Sequence, residues 1–195
     1  MIESIKKLQS EDFLDRVDAI EELSNYINED KVSEILMKFF MDKHYLVRCE
    51  AYDAFHESSN LMVFSALLQR ISKERSACAR MHLISTLCGI AKKTGYTETE
   101  KDYIISVCKK ERSDSVIIAY ECLLYIADEN INHIYKALSF LDSEKYRIRC
   151  NVINLLSDVI DEKNSSIIKE KYIEKARSDD SYAVRALLEN ELEML

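Results

Sequence analysis

The apolar and polar positions of this chain follow a pattern that returns several times. In YLVRCEAYDAF, Tyr45 to Phe55, with Arg48 as origin, the residues three and seven positions on are Ala51 and Phe55. Equivalent origins fall at Arg16, Arg80, Ile117, Arg149 and Arg185. Their plus-three residues are Ala19, Leu83, Tyr120, Val152 and Leu188, and their plus-seven residues are Leu23, Leu87, Leu124, Leu156 and Leu192. Apolar side chains at zero, three, seven spacing mark the buried face of an α-helix. The residue before the origin is Val47, Ala79, Val116, Ile148 or Val184, with Asp15 as the exception. Three before it stands an aromatic in four copies: Phe13, Tyr45, Tyr146 and Tyr182. Tyr45, Val47, Ala51 and Phe55 are therefore expected to be packing residues.

Successive origins lie 32, 32, 37, 32 and 36 residues apart. A period in the thirties accommodates two short helices and signals an α-solenoid. A second helix-period segment precedes each origin, for example Val32, Ile35, Leu36, Phe39 and Phe40; Ile131, Ile134, Tyr135 and Leu138; Ile168, Tyr172, Ile173 and Ala176. The first is a short Ile2, Ile5, Leu8 helix. The longer spacings coincide with the polar insertions KKTGYTETE and DEKNSS. Gly95 reads as a C-terminal cap after Lys92 and Lys93, and Thr97 with Glu100 has capping-box spacing for the next helix. The chain has no proline and two glycines, which leaves its turns to Asp, Asn and Ser. The expected fold is all-α, an α-α superhelix of about six antiparallel helix pairs. It forms one repeat domain, with repeats near 1–28, 29–58, 59–95, 96–129, 130–161 and 162–195.

In its best copies the second helix is entered by an aspartate followed by Val-Arg-x-x-Ala. The best copy is Asp42, Val47, Arg48 and Ala51, and Asp179 or Asp180, Val184, Arg185 and Leu188 is close to it. This entry, with the period, resembles the HEAT-repeat family over essentially the whole chain. The chain departs from that pattern at Ile117, where arginine is replaced, and in lacking the proline often found in the first helix. The resemblance implies a right-handed superhelix whose second helices line a concave face. It also implies that arginine and aspartate bridge neighbouring turns, so Arg48, Arg80, Arg149 and Arg185 are expected to be structural.

With plus-three and plus-seven in the core, plus-two, plus-five and plus-nine form a second stripe, about 125° away at 100° per residue. Along it stand Asp18, Glu21 and Asn25; Glu50, Asp53 and Glu57; His82, Ser85 and Gly89; Ala119, Cys122 and Ile126; Asn151, Asn154 and Asp158; Leu187, Asn190 and Met194. Charge follows the same order. Residues 1–60 hold 14 acids against 7 bases, 61–130 hold 9 against 10, and 131–195 hold 12 against 10, so nearly all of the net −8 comes from the first two repeats. An acidic wall attracts basic proteins and repels nucleic acid. The candidate partner-binding residues are thus Asp18, Glu21, Glu50, Asp53, Glu57, His82, Asn151, Asn154 and Asp158. The expected function is a non-catalytic module that cups a basic protein, as an inhibitor or immunity protein covering a nuclease-like toxin would. Immunity proteins of bacterial toxin systems are similar to this chain in charge and size.

Other chemistries find less support. The six cysteines form no C-x-x-C pair, and most sit among apolar neighbours as buried thiols do. Cys78 and His82 are four apart on one helix face, but no matching pair lies near in sequence, so neither metal nor cofactor is expected. His56-Glu57 is a single copy of the dipeptide that HEAT-type deoxyhypusine hydroxylases use several times for a di-iron centre. Lys92-Lys93 and Lys109-Lys110 with Arg112 are thin as a nucleic-acid patch and suit helix C-termini. No nucleophile elbow, P-loop or dinucleotide fingerprint appears, and no catalytic residue is assigned. The alternative is an enzyme on a HEAT scaffold, either similar to phycobilin lyases or to alkylpurine DNA glycosylases. The latter is opposed by the net −8 and the absence of Trp. No segment has the length of apolar sequence that a membrane span or signal peptide needs, and a cytoplasmic location is expected.

Overall fold

A sequence almost without helix breakers, cut at intervals by Asp, Asn, Ser and Thr, folds into helices bounded by those residues. The computed structural model describes residues 2–195. Among them are twelve α-helices and no strand: α1 (Ile2–Lys7), α2 (Phe13–Ser24), α3 (Asp30–Met37), α4 (Tyr45–Asp53), α5 (Leu61–Arg70), α6 (Ala77–Thr94), α7 (Glu98–Cys108), α8 (Asp114–Asp128), α9 (Ile131–Ser139), α10 (Tyr146–Ser157), α11 (Ser165–Ser178) and α12 (Tyr182–Met194). Short 3-10 turns, Lys38–Met41 and Phe140–Asp142, extend α3 and α9. None of the described helices is long and apolar enough to cross a membrane.

The chain divides into two compact units, one ending at Gly95 and the other beginning at Tyr96. In the first, α2, α4 and α6 pack side by side in that order, with α1 against α2 and α5 against α6. In the second, α8, α10 and α12 do the same, with α7 and α9 on α8 and α11 on α12. The boundary is built as expected. Gly95 closes α6 at φ 68, in the left-handed region that a side chain disfavours. Thr97 and Glu100 then form a reciprocal capping box at the start of α7.

The core follows the zero, three, seven register. Every plus-three residue is buried, and so is every plus-seven residue except Leu192, which is half-buried near the end of α12. The aromatics three before the origin do not pack as expected. Tyr45, Tyr146 and Tyr182 are 41%, 46% and 79% exposed. Each is the first residue of its helix, where the neighbouring helices no longer cover it. Phe13 alone is partly covered, stacked on His44 at 3.8 Å. Tyr135 is also exposed, on the outer side of α9. Of the cysteines, Cys49, Cys88 and Cys122 are buried, Cys108 and Cys150 half-buried and Cys78 exposed.

Within each unit the arginines at the origins tie one helix to the turn that opens the next. Arg16 makes a two-pronged pair with Asp42 through Nε and Nη2, each 3.0 Å from a carboxylate oxygen, while Nη1 donates to the carbonyl of Ser10 at 2.8 Å. Arg48 repeats this one helix on, with Nε and Nη2 donating to Glu74 at 2.7 and 2.6 Å and Nη1 to the carbonyl of Asp42 at 2.8 Å. Arg80 donates Nη1 to the carbonyl of Glu74 at 2.9 Å. In the second unit Arg149 pairs with Asp179 and Asp180 and donates Nη1 to the carbonyl of Ser143, and Arg185 donates Nη1 to the carbonyl of Asp179. Asp42, Glu74 and Asp179 are therefore gripped twice. The side chain takes the arginine before it and the backbone carbonyl takes the arginine after it.

All three stand six residues before an origin, and their carboxylates also accept the N–H two residues on, closing the turn into the next helix. Glu111, six before Ile117, closes the same turn through the N–H of Ser113. Two copies carry serine there: Ser10, in the first copy, and Ser143, in the copy after Ile117. A serine hydroxyl still accepts the N–H two residues on, from Asp12 and Lys145 respectively. The acid is kept where an arginine precedes it and reduced to the turn-closing minimum where none does.

Glu74 shows the energetics. Burial alone would raise its carboxyl, but the Arg48 guanidinium, the Ser76 N–H and the Tyr52 hydroxyl outweigh that and hold it down at about 2. Its folded value lies below its unfolded one, so its stabilisation is full above the ordinary Glu range and is lost as pH falls toward 2. Arg48→Ala is expected to cost about 3–5 kcal/mol in denaturant unfolding, because it strands a buried carboxylate. Glu74→Gln should remove part of the acid dependence of stability between about pH 4.5 and 2. A second test concerns Gly89, where an added Cβ would lie 2.4 Å from the backbone carbonyl of His56. Gly89→Ala must push α6 off that carbonyl and should destabilise by about 1–3 kcal/mol, read from the thermal midpoint.

Candidate functional site

The side-by-side packing of α2, α4 and α6 brings Asp18 and Glu21, Glu50 and Asp53, and His82 onto adjacent helices of the first unit. Asp18, Glu21, Asp53 and Glu57 are exposed, while Glu50 and His82 are half-buried. Two of the acids are neutralised. An Asp53 carboxylate oxygen lies 2.8 Å from Nδ1 of His82, across the α4–α6 contact. Glu57 receives Lys93 Nζ at 2.6 Å on both its carboxylate and its backbone carbonyl, with His56 Nδ1 3.2 Å from the other carboxylate oxygen. Asp18, Glu21 and Glu50 have no ion pair among the described residues.

The local electrostatics reflect this imbalance. Burial pushes the Glu50 carboxyl up, Asp53 and Glu21 push it further, and His82 opposes them only in part. His82 is raised chiefly by its hydrogen bond to Asp53, against the effect of burial. The imidazolium form of His82 is therefore favoured by its carboxylate neighbours, and Glu50 stands among like charges.

The stripe expected from the sequence is not continuous. Gly89, Ala119 and Cys122 are buried. At Gly89 the cause is the close approach of the His56 carbonyl. At Ala119 and Cys122 it is α8 itself, which is covered on nearly all sides, as a helix apolar all round must be. Asn151, Asn154 and Asp158 lie on α10 in the second unit. Asn151 Nδ2 donates to Ser115 Oγ at 2.7 Å and is a contact between α10 and α8, Asn154 is exposed, and Asp158 is half-buried. These three do not form an acidic wall, and the cluster of exposed and half-buried acids lies in the first unit.

Two constellations were not foreseen. The first surrounds Glu121, which is 2% exposed. One of its oxygens is 2.7 Å from His133 Nδ1 and the other accepts Lys136 Nζ at 2.5 Å. Burial would raise this carboxyl, but His133 and Lys136 bring it below its ordinary value. The group borders a cavity of 540 Å³, also lined by Ile105, Cys108, Ile117 and Phe140, so the residue that replaces the arginine forms part of its wall. A signal existed in the sequence: four after the origin, the other buried copies are Ile20, Tyr52, Ile84 and Ile153, and only here is the position acidic and buried. The second constellation is Cys49, Cys78 and His82, whose sulfur and ring-nitrogen atoms lie within 4.8 Å of one another. Cys49 is on α4 and the other two are on α6, so the pair noticed on α6 gains its third member from a neighbouring helix.

No protein-family model matches the chain, and no curated protein matches it significantly.

His133 is raised above the ordinary histidine value first by its hydrogen bond to Glu121, against burial, and then by the charges of Glu121 and Asp128. The charged pair accordingly stabilises the fold fully below the unfolded histidine value and loses that effect as pH rises through the folded one. Glu121→Gln should lower the His133 titration midpoint, read by NMR of the imidazole protons, and flatten the stability–pH curve above neutrality.

Proposed function

We propose that this protein is a non-catalytic protein-binding module, a HEAT-like α-solenoid of six helix pairs whose acidic surface in the first unit docks a basic protein. The observation that carries the reading is Glu50. This half-buried carboxyl is pushed up by burial and by Asp53 and Glu21, and has no cation paired to it among the described residues. Crowding like charges on α2 and α4 costs folding free energy, and a partner that brings lysine or arginine relieves that cost. Docking would thus return the Glu50 carboxyl toward its ordinary value and favour its ionised form. A polyanion such as nucleic acid would add to the repulsion. An inhibitor or immunity protein that covers the basic groove of a nuclease-like enzyme has these requirements.

The distribution of charge separates binding from stability. Asp53 and Glu57 are engaged by His82 and Lys93, so reversing them also breaks intramolecular contacts. Asp18, Glu21 and Glu50 are the cleaner probes. With a partner isolated from the native host, the association rate should fall steeply with added salt and by about 10-fold or more in Asp18→Lys, Glu21→Lys, Glu50→Lys, with helicity unchanged. A partner whose association ignores both salt and the triple reversal would overturn the assignment.

A further inference from the structure

We propose that Cys49, Cys78 and His82 form a binding site for a thiophilic d10 metal ion of the Zn²⁺ class, with Asp53 orienting the histidine. The donors come from two helices packed in parallel register. Cys49 and Asp53 are one turn apart on α4, Cys78 and His82 are one turn apart on α6, and α4 and α6 are in contact. Each helix thus offers an i, i+4 pair on the side facing the other. The three ligand atoms already converge within 4.8 Å of one another, so the donors need only small side-chain movements to close on one ion. Two sulfurs and one imidazole nitrogen are a donor set that selects Zn²⁺ or another soft ion over Mg²⁺ or Ca²⁺, which require oxygen.

The surroundings suit that role. The Asp53 carboxylate is 2.8 Å from His82 Nδ1, the carboxylate–histidine arrangement that holds the ring of a metal-bound histidine in place. Cys78 lies in the first turn of α6, an 18-residue helix that fixes its position beside Cys49. Cys49 is buried and Cys78 exposed, so the site is fixed from the inside and open to an ion from solvent. Three protein donors leave one tetrahedral position for water or a partner's side chain. Binding converts both thiols to thiolates and takes His82 as the neutral imidazole, so two thiol protons, and a third wherever His82 starts as imidazolium, pass to solvent with no change of oxidation state.

None of this depends on the acidic-face reading, and it can be tested without a partner. Full-length protein, reduced and stripped with a chelator, is titrated with Zn²⁺ against a chromophoric competitor, and with Co²⁺ as a spectroscopic probe. The expected result is one ion per chain, two protons released at alkaline pH and a third where His82 starts as imidazolium, and a sulfur-to-cobalt charge-transfer band in the near ultraviolet. Cys78→Ser alters an exposed side chain and should fold normally, and His82→Ala, which also removes the bond to Asp53, is checked for native helicity before titration. Each should weaken Zn²⁺ binding by on the order of 100-fold or more. Asp53→Asn should keep the stoichiometry and weaken binding by roughly 10–100-fold. Cys150→Ser, outside the site, should change nothing. Failure to bind, or binding that persists undiminished in Cys78→Ser together with His82→Ala, would overturn the site. So would a cobalt spectrum without sulfur ligation.

Discussion

One interaction sets the register of both units: a guanidinium that reaches forward to the acid opening the next helix and back to the carbonyl six residues before it. Arg16, Arg48 and Arg149 each do both. The geometry is demanding, because one planar side chain must satisfy two loops at once with donors fixed in a fork. It explains why the turns need no proline or glycine. The loop between helices is closed by a carboxylate or hydroxyl accepting the N–H two residues on, and its carbonyl is held by the arginine. The apolar register supplies the bulk of the burial. Within each unit the ladder ties each arginine-bearing helix to the loop that opens the next.

Against this frame the departures carry the chemistry. Where the origin is Ile117, the arginine and its downstream acid are both missing, a cavity lies beside it, and a buried carboxylate is held by His133 and Lys136. In the first unit the ladder is intact, and the side chains between its rungs are free to diverge. There α4 carries two kinds of side chain one residue apart: Glu50, unpaired among acids, and Cys49, turned toward the thiol and imidazole of α6. Charge and metal-ligand chemistry thus meet on one helix, with Asp53 and His82 common to both.

Much of the fold was legible in the chain. The zero, three, seven register, the Gly95 cap and the Thr97–Glu100 box are local or periodic features, and sequence reports such features directly. The tyrosines three before the origin misled, because recurrence in sequence marks a shared position and says nothing about what covers it. Tyr182 recurs and is 79% exposed. The stripe was legible on α2 and α4, where helical geometry alone decides exposure, and failed at Gly89, where the His56 carbonyl arrives from a loop more than thirty residues earlier in the chain. The cysteine–histidine cluster was half visible. Cys78 and His82 announce themselves at i, i+4, but Cys49 is brought to them only by the α4–α6 contact, a tertiary fact with no local trace.

The double role of the acid at each rung makes the two halves of the ladder depend on one another. Removing the acid leaves a guanidinium buried without a counter-charge, and removing the arginine strands a carboxylate whose side chain is 0% exposed at Glu74 and 1% at Asp179. Neither half is easily lost alone, so a rung is kept or given up as a pair. At Ile117 and Ser143 both are absent together, and the Ser143 hydroxyl keeps the one bond that the turn needs.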